Sequence, residues 1–200
     1  DEVPRFDPFL MLDDFHSSHP ADYLAGFPWH PHRGIETITY IIEGRVEHGD
    51  SIGNRGTIGA GDVQWMTAGS GIIHQEMPQK SQTGLMWGFQ LWANLPAAQK
   101  MMPPRYRDVR AATIPEVALE KGVTAKIISG AAGGIQGPIR EIVIDPVFMD
   151  ITVPVATTFK RPVKEGYTVF CYVLDGLARF DGHREQVIGP ETVVLYEQSG

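Results

Sequence analysis

Twenty-two glycines and fifteen prolines interrupt the 200-residue sequence at short intervals. Neither residue suits a helix interior, where Gly costs about 1 kcal/mol and Pro about 3 kcal/mol relative to Ala. A chain punctuated this densely folds most readily into short strands joined by turns. Ile35 to Ile42 is rich in Ile and Thr and ends at Glu43-Gly44. Val46 to His48 follows, then the turn-rich stretch Gly49-Asp50-Ser51-Ile52-Gly53-Asn54-Arg55-Gly56. Thr57-Ile58, Val63 to Met66, Ile72 to Gln75 and Leu85 to Leu91 complete the first half. This spacing predicts an all-β fold, a sandwich or barrel of antiparallel strands.

Residues 93–110 differ in character. Asn94-Leu95-Pro96 opens a short helix-compatible piece and Met101-Met102-Pro103-Pro104 closes it, so the stretch reads as a linker. A second strand-rich half begins near Ala125. Tyr40-Ile41-Ile42-Glu43-Gly44 matches Tyr172-Val173-Leu174-Asp175-Gly176, 132 residues on. Ile58-Gly59-Ala60-Gly61-Asp62-Val63 matches Ile188-Gly189-Pro190-Glu191-Thr192-Val193, 130 residues on. Two matches in the same order suggest a duplicated β module. The expected organisation is an N-terminal module with its linker over residues 1–110 and a C-terminal module over 111–200. The second copy reaches Gly200 soon after its counterpart of Met66. The expectation is therefore an incomplete second barrel, whose open edges a partner or a further segment would cover.

Hydrophobic residues make up 42% of the chain and charged residues 20%, which excludes wholesale disorder. The net charge of −7 and the absence of a Lys/Arg run disfavour direct nucleic-acid binding. No apolar stretch approaches the roughly 18 residues of a membrane-spanning helix, so no membrane partner is expected. The single cysteine, Cys171, excludes a disulfide framework and a thiolate-rich zinc site. A reducing, cytoplasmic location follows as an expectation. The N-terminus, Asp1-Glu2-Val3-Pro4, shows neither Met nor a signal-peptide pattern and reads as the start of an ordered region in a longer chain.

The chemistry concentrates in two short pairs. His30 and His32 stand two apart in Trp29-His30-Pro31-His32-Arg33-Gly34, and Pro31 favours an extended backbone at His30. On such a backbone both imidazoles point to the same side. His74 and Glu76 repeat this spacing in His74-Gln75-Glu76. On neighbouring strands the two pairs would converge three imidazoles and one carboxylate on a barrel interior. That donor set suits a first-row divalent ion (iron, manganese, nickel, copper or zinc) and leaves coordination positions open for catalysis. Glu36 competes for the carboxylate role, because strict alternation from His32 would put it on the same face unless Gly34 breaks the alternation. Phe27 and Trp29 flank the first pair and either line the mouth of an apolar pocket or pack in the core. His16, His19, His48 and His183 lack comparable spacing and read as surface or hydrogen-bonded residues.

Phe27 through Thr37, His48 through Gly56 and Gln64 through Met77 resemble the signature blocks of pirins, and Leu91 through Pro96 and Met101 through Tyr106 are similar too. Pirins belong to the cupin superfamily and are bicupins, with two β-barrels. The resemblance implies one metal, usually iron as Fe(II), held by His30, His32, His74 and Glu76 in the N-terminal barrel. It also favours Glu76 over Glu36, since the family spacing to the following Gly fits Thr37 at the usual glutamate position. By the 132-residue offset, Pro162, Lys164 and Thr168 stand where His30, His32 and Glu36 would fall, so the second barrel is expected to be metal-free.

Two functions follow from the resemblance. One is a quercetin 2,3-dioxygenase-like oxidoreductase, in which O2 opens the central ring of a flavonol and Glu76 accepts the substrate proton. The other is a metal- or redox-sensing transcriptional co-regulator without turnover, acting through protein contacts and in the nucleus of a eukaryote. A cupin with a purely structural metal ranks below both.

Overall fold

The computed structural model describes residues 6–180 and 185–197. His183 lies outside them. The chain divides into two compact units. One spans Asp7–Phe159; the other brings Phe6 together with the segment from Lys160 onward. Position 110, the expected module boundary, falls inside the first unit.

The first unit is built on two antiparallel sheets. One holds five strands in the order β1-β8-β3-β6-β9: β1 (Phe9–Ser17), β3 (Ile35–Glu43), β6 (Val63–Thr67), β8 (Met86–Asn94) and β9 (Arg105–Val109). The other holds four in the order β2-β7-β4-β5: β2 (Phe27–His32), β4 (Arg45–Asp50), β5 (Arg55–Gly59) and β7 (Ile72–Gln79). Pro28 and Pro31 both sit in β2, an edge strand, where a missing N–H costs least. Three further strands, β10 (Glu116–Ala118), β11 (Thr124–Ser129) and β14 (Phe148–Thr152), form a separate sheet in the order β10-β11-β14. Between β11 and β14, β12 (Ala131–Ala132) and β13 (Ile135–Gln136) close a small hairpin.

Alternation along the strands sorts side chains between the faces of the two main sheets. Thr37, Thr39 and Ile41 of β3 share a face with Gln64 and Met66 of β6, Gln90 and Trp92 of β8, and Tyr106 and Asp108 of β9. This face meets the inner face of the second sheet, as Thr39 and Gln90 hydrogen-bonding Glu76 of β7 demonstrate. Two apolar clusters close the barrel. Ile41, Val46, Ile58 and Met86 pack with Tyr23, backed by Phe15. Met66, Ala68 and Ile72 pack with Ile35 and Tyr106. Between the clusters the interior is polar.

Residues 93–110 are not wholly a linker. Ala97–Gln99 is a single 3-10 turn, close to the helix-compatible piece expected there. Beyond it, β9 joins the first sheet beside β6. Arg105 and Arg107 disguise this strand in the sequence, since their inward neighbours are the polar pair Tyr106 and Asp108.

The internal repeat has a structural counterpart. In the second unit β15 (Phe170–Val173) pairs antiparallel with β16 (Thr192–Leu195), and Tyr172 faces Val193. Their equivalents, Tyr40 and Val63, face each other across β3 and β6. The Glu191 N–H donates to the Val173 carbonyl as the Gly61 N–H donates to that of Ile41. An Ala178–Ile188 bridge repeats the Val46–Ile58 pairing. Sequence similarity at the 132 and 130 offsets is thus matched by strand register.

The turn Ala68-Gly69-Ser70-Gly71 carries the chain from β6 to β7 and so sets where His74 lands. Gly69 has φ +52, and a Cβ there would collide with the Met102 carbonyl oxygen. Gly53 also has positive φ, +98, but a Cβ there meets open space. We expect Gly69→Ala to lower stability by about 2 kcal/mol or more, and Gly53→Ala by only about 1 kcal/mol. Chemical denaturation of both variants checks this; equal losses would show that the Met102 contact is unimportant.

Candidate metal centre

Edge strand β2 pairs antiparallel with β7, and this register places His30 directly opposite His74. His32 lies two residues along β2 on the same side, and Glu76 two residues along β7. The three imidazoles therefore meet. Ring centroids are 4.8 Å apart for His30 and His32, 4.4 Å for His30 and His74, and 5.0 Å for His32 and His74. Their ligand nitrogens all lie within 4.8 Å of one another. The Glu76 carboxylate approaches to 3.9 Å from His74 Nε2.

Hydrogen bonding orients the donors. His30 Nδ1 lies 2.8 Å from the Pro28 carbonyl oxygen, which can only accept. A neutral His30 ring donating there keeps its lone pair on Nε2, which faces His32 Nε2 at 3.0 Å. His74 is fully buried, and neither of its ring nitrogens has a hydrogen-bond partner among the described residues. Burial, reinforced by the neighbouring imidazoles, pushes His74 down to about 3 and His32 down to about 4. Both rings are neutral at pH 7 and offer lone pairs. Three imidazoles converging on one point, with both nitrogens of buried His74 lacking a partner, fit a divalent first-row ion, and the absence of thiolate among these donors leaves the choice among such ions open.

Glu76 is equally enclosed. Burial pushes its carboxyl up, against opposing hydrogen bonds from Gln90 and Thr39. Thr39 Oγ1 donates to Oε1 at 3.1 Å, and Gln90 Nε2 donates to Oε2 at 2.7 Å. Glu36 is turned to the other face of β3, where Thr67 Oγ1 donates to it at 2.7 Å. The bulge-like break at Gly34, φ +70, separates His32 in one sheet from Glu36 in the other.

A cavity of about 170 Å³ opens beside Glu76. Its walls include Phe15, Tyr23, Phe27, Val46 and Pro78, with Asp22, Thr39, Glu76 and Gln90 as the polar part. Phe27 thus lines the cavity, half exposed at 46%. Trp29 is exposed at 52%, does not line it, and lies across β4, with Cη2 3.9 Å from the Cβ position of Gly49.

Sequence reasoning missed several residues here. His48 is buried, directly opposite Glu76 in the β4–β7 register, and its Nε2 lies 3.0 Å from Asp108 Oδ2. It is hydrogen-bonded, as read from sequence, but not on the surface. Trp92 packs its ring edge-on against His32 at 5.0 Å. A signal for Gln90 and Trp92 was present in Phe89-Gln90-Leu91-Trp92, where a lone amide interrupts an apolar strand.

Comparison with known proteins places this geometry. Residues 1–93 match the pirin family model. A pirin-like protein of Caulobacter vibrioides is 49% identical over 89% of this chain and 64% of its own length. Rat pirin is 35% identical over 98% of this chain and 68% of its own length. The crystal structure of a quercetin 2,3-dioxygenase from Acinetobacter baumannii superposes with a TM-score of 0.82 at 31% identity, covering 98% of this chain and 69% of that one. The chain belongs to the pirin family, whose fold is the bicupin, and it spans about two thirds of the length of these relatives.

The lowered imidazole pKa values carry a sign that can be tested. An unfolded imidazole takes up a proton near pH 6.5. Folded His32 and His74 resist until about pH 4 and about pH 3. The unfolded chain therefore binds more protons in this window, and metal-free protein loses stability as pH falls from 6.5 toward 4. Glu76, raised by burial, has the opposite sign, but it is unchanged in His74→Gln. We expect the stability of metal-free His74→Gln to fall less steeply than wild type between pH 7 and 4.5. Parallel curves would mean that His74 is not held neutral.

Proposed function

We propose that this chain carries the metal centre of a pirin-type oxygenase that cleaves quercetin or a related flavonol with O2. His30, His32, His74 and Glu76 would hold one divalent ion, with Fe(II) as the first candidate and Mn, Ni, Cu or Zn as alternatives. The reading rests on one observation: three imidazoles, two of them buried, converge beside a buried carboxylate at the edge of an apolar cavity. The named activity of the Acinetobacter structural relative supports it. The residue pattern is consistent with a catalytic site located in the N-terminal module. The C-terminal module would serve packing or interaction.

The ion, when bound, would supply Lewis acidity toward a substrate oxygen and one-electron chemistry with O2. The protein residues do the rest. Phe15, Tyr23, Phe27 and Val46 offer apolar walls to an aromatic substrate and limit water beside Glu76. A carboxylate whose basicity is raised by burial is better suited than a free one to accept the proton of an acidic enol or phenol group within hydrogen-bond reach. Thr39 and Gln90 hold that carboxylate in one orientation while it does so.

Purified protein loaded with one equivalent of Fe(II), Mn(II), Ni(II) or Cu(II) should consume O2 with quercetin and release equimolar carbon monoxide. His74→Ala should abolish stoichiometric binding. Glu76→Gln should lower turnover by roughly 10²–10⁴-fold, the usual share of general acid–base catalysis. Tight, stoichiometric metal without turnover in any form would overturn the oxygenase reading and favour the metal-sensing co-regulator.

A further inference from the structure

Gln90 and Trp92 do more than fill the barrel wall. Trp92 Nε1 lies 2.9 Å from Gln90 Oε1. An indole N–H can only donate, so the amide oxygen of Gln90 must face it. The amide nitrogen is thereby forced toward β7, where it donates to Glu76 Oε2 at 2.7 Å and to Thr39 Oγ1 at 3.3 Å. Thr39, accepting from Gln90, directs its own hydroxyl proton to Glu76 Oε1 at 3.1 Å. The donor-only indole thus sets the polarity of every link in the chain and holds both oxygens of Glu76.

The same Trp92 ring stands edge-on to His32, centroids 5.0 Å apart and planes at 80°. One side chain therefore touches an imidazole directly and the carboxylate through Gln90. Register explains why this works. Thr39 faces Gln90 and Thr37 faces Trp92 across β3 and β8, so Thr39, Gln90 and Trp92 present one contiguous row to the inner face of the other sheet. The imidazoles and Glu76 come from that other sheet, so their lateral placement depends on what the first sheet presents.

We propose that Trp92 and Gln90 are positioning residues that act as one clamp, fixing the angle of the Glu76 carboxylate relative to the three imidazoles. This deepens the proposed function and rests on its assignment of His30, His32, His74 and Glu76 as the metal-holding set. Residues that orient metal ligands in this way typically contribute 10–100-fold to metal affinity.

The test uses Co(II), whose visible ligand-field spectrum reports coordination independently of turnover. Trp92→Phe keeps an aromatic ring on β8 beside His32 but replaces the indole by a smaller ring that has no N–H donor. Gln90→Met keeps an unbranched chain of similar length and deletes both amide groups. Each variant should weaken Co(II) binding by roughly ten-fold or more and change the Co(II) spectrum. The double variant should be little worse than either single one, because both remove the same lever. Melting temperatures of the metal-free proteins report folding, and Trp92→Phe should remain close to wild type.

Unchanged Co(II) affinity and spectrum in folded Trp92→Phe would overturn the inference, and so would strictly additive losses in the double variant. Wild-type protein that binds Co(II) normally alongside such variants would leave the metal-site reading standing. Wild-type protein that fails to bind Co(II) at all would overturn both.

Discussion

The antiparallel register between β2 and β7 is the constraint on which the site depends. It places His30 opposite His74, and the two-residue period of a strand then aligns His32 and Glu76 on the same side. A slip of one residue would send one pair to the opposite face of the sheet. Several features hold β2 and β7 in place around it. Ser51 is tied to Ile73 twice, by backbone and by side chain, next to His74. The tight turn through Gly69 fixes where β7 begins. Pro28 and Pro31 confine β2 to a sheet edge, while the Pro28 carbonyl also orients the His30 ring.

Given that register, the rest is a problem of buried polarity. A barrel interior holding His74, Glu76, Gln64 and His48 would be unfavourable if each group sought its own solvent. The protein resolves part of this internally. Glu76 is satisfied by Thr39 and Gln90, and the Nε2 of His48 by Asp108. His74 is left with two unpartnered ring nitrogens. The same desolvation that disfavours imidazolium keeps the His32 and His74 rings neutral, so the cost of burial yields the lone-pair chemistry that metal ligation requires. The five-stranded sheet supplies the orienting groups and the four-stranded sheet supplies the donors.

Much of this was legible in the sequence because it is local. The spacing of His30 with His32 and of His74 with Glu76 is a statement about strand geometry, and β3 to β8 announce themselves through Ile, Val and Thr between glycine turns. The repeat was legible too, down to the residues that later prove to share register, Tyr40 with Val63 and Tyr172 with Val193. Non-local features were hidden. Nothing near Gln90 reveals that it reaches Glu76, because the pair joins two sheets through β3 and β7 packing. Tyr106 and Asp108 sit in a stretch that Pro103, Pro104 and three arginines make look like a loop. His48 has no spaced partner in sequence, since its partner, Asp108, lies 60 residues away. The choice between Glu36 and Glu76 turned on a break at Gly34 that alternation alone could not place.

The central claim is that three imidazoles and one carboxylate from β2 and β7 share one ion. X-ray absorption at the metal edge of protein loaded with one equivalent of Fe(II) tests it most directly. The account predicts a first shell of nitrogen and oxygen only, with outer-shell scattering from three imidazoles, and loss of that spectrum in His74→Ala protein. Scattering from one imidazole or none in the wild-type protein would contradict it, as would a spectrum that His74→Ala leaves unchanged.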